Sequence, residues 1–152
     1  MKKVKVKFKF LSPIWQKYGL KYATEMSVGL DLRAAIEEDH ITVLPNERVF
    51  INTGLAIEIL EPNIAGFIFS RSGLGTKEGL VVTQGVGVID PDYRGEIIVS
   101  LLNISKQPKI ISKGERIAQL LFLPAYQAEI LISETLSSSK RGAGGFGHTG
   151  RL

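Results

Sequence analysis

Four short stretches of the body carry side chains suited to chemistry on a phosphate. In Gly87-Val88-Ile89-Asp90-Pro91-Asp92-Tyr93-Arg94-Gly95-Glu96, the carboxylate of Asp90 stands at the entry to a turn between two apolar runs. Aspartate before proline often caps its own turn. The same carboxylate, held within hydrogen-bond reach of a water, is a general base. Ser70-Arg71-Ser72-Gly73-Leu74-Gly75 sets a guanidinium, hydroxyls and glycine amides together after an apolar run. That is either an ordinary capped loop or a cradle for an anionic phosphate. It lacks the Gly-Lys-Ser/Thr ending of a Walker loop. Gly29-Leu30-Asp31-Leu32-Arg33-Ala34 and Gly114-Glu115-Arg116-Ile117-Ala118-Gln119-Leu120 place Asp31 and Gln119 among apolar neighbours. Buried polar groups need partners, and an arginine for Asp31 and main chain for Gln119 would serve.

A fifth stretch differs in kind. Residues 137–152 hold five of the 16 glycines and no hydrophobic period, so the segment is expected to be mobile in isolation. Yet Arg141 and a lone Phe146 sit among those glycines. A guanidinium forks onto phosphate, glycine amides meet anions, and an exposed ring stacks on a base. The combination reads as a lid that orders over a nucleotide.

Composition narrows the chemistry further. The chain has no cysteine, which excludes disulfide scaffolds, thiolate metal sites and cysteine nucleophiles. His40 and His148 have no helical ligand spacing, so a protein-held zinc is not expected. A magnesium ion carried on phosphates needs few carboxylates and stays open. The net charge is +4, but Lys2, Lys3, Lys5, Lys7 and Lys9 all fall in the first ten residues. The remaining 142 residues hold 14 basic against 15 acidic groups. A nucleic-acid binder spreads its excess over a face or groove, so neither a nucleic-acid partner nor a membrane is expected. No apolar run approaches a membrane span, the lysine-rich start does not read as a secretory signal, and a cytoplasmic protein is the expectation.

The elements that must position these groups are mostly strands. With 152 residues, 44% hydrophobic and 22% charged, one globular domain is expected. Lys5-Val6-Lys7-Phe8-Lys9-Phe10 alternates strictly, as a solvated edge strand does. Short β-branched runs recur at 48–51, 55–59, 66–69, 96–101, 116–123 and 129–132, with turn residues between them. Residues 71–78 and 32–38 could each form a helical turn or two. Such spacing predicts an all-β antiparallel barrel or sandwich.

Taken in order, residues 29–34, 71–75, 87–96, 114–120 and 141–150 resemble the five motifs of the homotrimeric dUTP pyrophosphatase (dUTPase) family. The resemblance extends over most of the chain. It implies a jelly-roll-like antiparallel β-barrel over residues 1–136, assembled as a homotrimer, and a flexible glycine-rich C-terminal arm over 137–152. It also implies hydrolysis of dUTP to dUMP and pyrophosphate by water attack on the α-phosphorus with Mg²⁺. That reaction limits uracil incorporation into DNA and supplies dUMP for dTTP synthesis.

Carried onto this chain, Asp90 would deprotonate the water and Gln119 would contact the nearby phosphate. Arg71, Ser72 and Gly73 would hold the phosphates, Ser72 next to the reacting centre. Gln84, Val88, Ile89 and Ile98 would line the base and sugar pocket, with Tyr93 against the deoxyribose. Asp31 would touch the magnesium's waters. Arg141 would reach the γ-phosphate, Phe146 would stack on uracil, and Gly147 would complete the arm's contacts. Val28 stands where the family usually has alanine, Ser70 where proline is common, and Gln84 where a shorter amide is often found. A dCTP deaminase, which shares the fold, usually lacks the Phe146 arm. A basic binding module would leave Asp90, Arg71 and the arm without a joint purpose.

Overall fold

Apolar residues at every second position let two sheets face one another across a core. The computed structural model, which describes residues 2–146 and 148, builds that arrangement from β1 (Val6–Phe10), β2 (Leu30–Arg33), β3 (His40–Val43), β4 (Arg48–Ile59), β5 (Ile64–Phe69), β6 (Leu80–Val82), β7 (Val86–Ile89), β8 (Glu96–Asn103), β9 (Lys109–Ser112) and β10 (Arg116–Pro124). One sheet runs β1-β4-β8-β6, a second β2-β10-β5-β7, and β3 pairs with β9. Every pairing is antiparallel. The result is the antiparallel all-β body that the strand spacing predicts, in the jelly-roll-like form that the resemblance implies. In β8, Ile97, Val99 and Leu101 point inward while Ile98 and Ser100 face out. Leu30 and Leu32 of β2, Ile68 of β5 and Leu120 of β10 close the core from the other sheet.

The lysine-rich β1 is the edge strand its alternation predicts. Its inward face is only partly covered: Phe8 meets Phe122 edge-on at 6.4 Å, and Phe10 stacks on Trp15 at 6.1 Å. Trp15 belongs to a short helix, α1 (Ile14–Tyr18), that the apolar pattern did not reveal. One helical turn shows too little of a 3.6-residue period to read. Pro13 opens it and the Gly19 amide closes it onto the Trp15 carbonyl.

Three expectations are corrected. Residues 34–38 form no helix, because Leu32 and Arg33 finish β2 and the chain then leaves its sheet. The runs at 48–51 and 55–59 are one strand, β4, interrupted by a register shift between Asn52 and Ala56. The run at 129–132 is not a strand: among the described residues no helix or strand follows Pro124. Tyr126, Ile130, Leu131, Ile132 and Leu136 are all largely exposed. A strand needs a neighbour to satisfy its main chain, and this segment pairs with none among the described residues. No helix among the described residues is long and apolar enough to cross a membrane.

Candidate active site

Strand register lines up one half of the site. Asp31 is opposite Gln119, Gln119 opposite Phe69, and Phe69 opposite Val86. Residues directly opposite in antiparallel strands point to the same face. Their chain neighbours Leu32, Leu120 and Ile68 are buried, so this row crosses the outer face of the sheet. Phe69 ends β5, and Ser70, Arg71 and Ser72 follow at once into a single π-type turn, Leu74–Glu78.

Charge gathers on that row. Arg71 Nε donates to Asp31 Oδ1 at 2.9 Å, and Arg116 Nη1 to Asp31 Oδ2 at 3.2 Å. Arg71 also donates through Nη1 to the Arg116 carbonyl at 3.2 Å. Close by, Arg33 lies over the Tyr18 ring at 4.5 Å and donates to the Gly114 carbonyl at 2.7 Å. Burial and the neighbouring Arg116 push the Arg33 pKa down, against the pull of Asp31. A cavity of about 60 Å³ opens between Trp15, Tyr18, Tyr22, Asp31, Arg33 and Arg116. Gln119 donates from Nε2 to the Ser70 carbonyl at 3.0 Å, and Ser70 Oγ accepts from the Val82 amide at 2.8 Å. The phosphate-cradle candidates are therefore tied to both β10 and β6. Arg116 was absent from the residues singled out by type. A charged side chain two residues past a turn glycine was its only signal.

The second half is a hairpin that does not close. β6 and β8 stay together as far as the Thr83 amide and the Ser100 carbonyl, 3.0 Å apart. Beyond that they diverge: β7 is the outer strand of the other sheet, and residues 96–98 of β8 pair only with β4. The strand-turn-strand that the residues alone suggest is thus an opened fork with unpaired strand edges, the opening that the family resemblance implies. Such edges expose amides and carbonyls that seek partners. Val88 and Ile98, 58% and 49% exposed, lie on its two arms. Gln84 folds over Gly87. Ile89 is in the core, so any contact it makes with a ligand would come from its main chain.

At the fork's tip the turn is closed by main chain, the Tyr93 amide to the Asp90 carbonyl at 3.1 Å. The Asp90 carboxylate is exposed and has no hydrogen-bond partner among the described residues, so it does not cap its turn. Tyr93 Oη donates to the Glu96 carbonyl at 2.9 Å, with its ring across Gly95, where a Cβ would collide with it.

The two halves do not meet within one chain. Asp90 lies past Ile89, at the end of β7 remote from Val86 and the charged row. Four residues of extended strand span about 13 Å. Arg141 Nε is turned back on the Gly144 carbonyl at 2.8 Å, and Phe146 projects freely. Gly147 lies outside the described residues. Among those described, no three His, Asp or Glu residues converge as a metal cage. Asp31 is the one carboxylate on the charged row, and it suits contact with the waters of a phosphate-borne ion rather than direct capture.

Body and charged row together define an all-β protein with guanidinium and carboxylate groups gathered on the outer face of one sheet. A sequence model of the dUTPase family matches residues 17–150. The deoxyuridine 5'-triphosphate nucleotidohydrolase of Haemophilus influenzae is 49% identical over 152 residues, 99% of each chain. That of Klebsiella pneumoniae is 47% identical over 153 residues, again 99% of each. Among solved structures, a mutant dUTPase of Staphylococcus bacteriophage 80alpha with dUpNHpp superposes with a TM-score of 0.83 at 26% identity, covering 96% of this chain and 98% of that one. The chain belongs to the dUTPase family.

Proposed function

We propose that the chain hydrolyses dUTP to dUMP and pyrophosphate at a site made from the open fork of one copy and the charged row of another. The chain is a dUTP diphosphatase. The observation that carries the shared site is the register of β7: Val86 joins the row at one end and Asp90 follows Ile89 at the other, four strand steps or about 13 Å away. Phe50, 72% exposed, and the bare apolar side chains of 126–136 add a need for covering surface; a homotrimer, which the family resemblance implies, would supply it.

Asp90 holds a water and takes its proton as the water attacks the α-phosphorus. An exposed carboxylate with no competing hydrogen bond suits that task. Arg71 keeps its Nη2 protons free of Asp31, and these, with the Ser72 hydroxyl and the Gly73 amide, meet the phosphate oxygens. Gln119 has a second N–H beyond the one given to Ser70, which reaches the phosphate beside the water. Phosphoryl transfer depends mainly on such positioning and charge neutralisation. Magnesium fits the donor set as a phosphate-borne ion whose waters Asp31 would accept, and when bound it supplies charge neutralisation on the triphosphate.

On the fork, exposed edges of residues 84–88 and 96–98 pair with uracil, and Val88 and Ile98 flank base and sugar. A main chain arranged for uracil's N3–H and carbonyls meets mismatched groups on cytosine. Tyr93 lies against the deoxyribose and leaves no room for a 2′-hydroxyl. The arm from residue 137 closes with Arg141 on the γ-phosphate, Phe146 on the base and Gly147 beside them, excluding water. The reaction belongs in the cytoplasm and uses no nucleic-acid or membrane partner.

Purified protein with Mg²⁺ should release pyrophosphate from dUTP far faster than from dCTP, dTTP or UTP. Ammonia released from dCTP would identify a deaminase instead.

A further inference from the structure

We propose that Glu96 is a positioning residue for sugar discrimination, acting through Tyr93; this rests on the reading of Tyr93 given above. Glu96 starts β8 opposite the register shift in β4, where Asn52 pairs with Ile98 and Ala56 with Glu96. Four steps on one strand therefore answer two on the other, and the intervening loop of β4 needs outside partners. The Thr53 carbonyl accepts from Trp15 Nε1 at 2.8 Å, and Thr53 Oγ1 donates to the Ile97 carbonyl at 2.7 Å. The Gly54 carbonyl accepts from the Leu11 amide at 2.8 Å.

The Gly54 amide is met by Glu96 itself. Gly54 has φ +67°, a conformation that favours glycine, and its N–H donates to Glu96 Oε1 at 2.7 Å. Glu96 Oε2 accepts from Asn52 Nδ2 at 2.9 Å. Both carboxylate oxygens thus pin residue 96 to the bulge of β4, while its carbonyl receives the Tyr93 hydroxyl. Arg94 holds the rest of the turn, donating to the carbonyls of Pro91 at 2.7 Å and Tyr93 at 3.0 Å. The ring's height above the fork is set by its packing across Gly95 and by the hydroxyl's contact with the residue 96 carbonyl. Residue 96 is held to β4 by its ladder pairing with Ala56 and by its carboxylate, so releasing the carboxylate removes the side-chain half of that hold. The carbonyl that Tyr93 leans on loosens, and the gap kept too small for a ribose 2′-hydroxyl widens.

The test compares kcat and KM for dUTP and UTP in the parent, Glu96→Ala and Glu96→Gln. In Glu96→Ala the dUTP-to-UTP ratio of kcat/KM should fall about tenfold, since discrimination by a shaped polar site is lost when its parts loosen. Glu96→Gln should stay within about threefold of the parent, because its carbonyl still accepts from Gly54 and the Asn52 carboxamide can turn to accept from the new amide. A change in the fraction of folded protein scales both rates equally and leaves the ratio alone. If Glu96→Ala does not fold, Asn52→Ala, which leaves only the Gly54 contact, should lower the ratio about threefold. An unchanged ratio in the folded variant, or Glu96→Gln falling as far as Glu96→Ala, overturns the proposal. A parent that does not prefer dUTP to UTP overturns instead the reading on which it rests.

Discussion

Arg71, Arg116 and Asp31 hold one another in short charged contacts, whereas Asp90 has no side-chain partner among the described residues. The charged row is assembled on neighbouring strands whose register leaves little choice: Asp31, Gln119, Phe69 and Val86 are successive partners across one sheet. The fork is defined by pairing that stops. β6 and β8 part after Thr83 and Ser100, and the chain continues as β7 in the other sheet. One half is a cluster of guanidinium groups already braced on a carboxylate. The other is a set of strand edges left without partners. On the proposed reading, phosphate binding is placed by adding partners and base recognition by withholding them.

If the fork supplies the reacting proton acceptor, the largest effect follows from disabling it. Asp90→Asn should lower kcat by about 10²–10⁴-fold, the usual worth of a positioned base, with KM for dUTP little changed. The amide keeps the side chain's size, so circular dichroism and melting should match the parent. Parent-like turnover in Asp90→Asn would remove the base from the fork altogether. Deleting residues 141–152 should come next, with kcat falling about a hundredfold as one charged donor and the closing contact are lost. Among the described residues of the arm, Arg141 bonds within its own turn and Phe146 is bare. Melting should therefore be unmoved, and full activity without the arm would refute its role as a lid.

The two halves also differ in how legible they were in the chain. Asp31 and Gln119 announced themselves as polar residues in apolar runs, and the structure supplies the arginine and the main-chain partner that burial required. Arg116 did not, because a charge at the start of a strand is ordinary. The alternation of β1 and the β-branched runs conveyed an antiparallel β body. The parting of β7 from β8 was invisible locally, since an apolar run, a Pro-Asp turn and a second run look alike whether the strands pair or separate. Which sheet a strand joins depends on contacts with β4 and β5, residues far away in sequence. The run at 129–132 misled for a related reason: period and composition describe a strand's faces but not whether a neighbour exists.

Sharing of the site between copies is the next comparison to sharpen. Asp90→Asn and Arg71→Ala chains, each inactive alone, should be unfolded together, refolded at equal concentration and assayed. If the fork and the row come from different copies, random assembly leaves about a quarter of sites with both groups intact. Recovery to that fraction of parent activity is the expected result. No recovery, with mixed oligomers shown by mass spectrometry of tagged chains, would place both halves on one copy.

The smallest effect tests how the row is braced. Ser70 Oγ accepts from the Val82 amide at 2.8 Å, and the Ser70 carbonyl accepts from Gln119. A proline, common here in the family, would stiffen the loop by its ring; this chain ties the loop to β6 through a hydroxyl instead. Ser70→Ala leaves a part-buried amide without that partner, which costs about 1 kcal/mol of stability. Denaturant melts should show the midpoint falling with an unchanged slope. KM for dUTP should rise about two- to threefold as Arg71 and Ser72 lose their brace, with kcat nearly constant. Because the fork is untouched, discrimination between dUTP and UTP should not move. A drop in that ratio would mean that the row and the fork are mechanically coupled through β6, and that the division between preorganised cations and open edges is less complete than their hydrogen bonds imply.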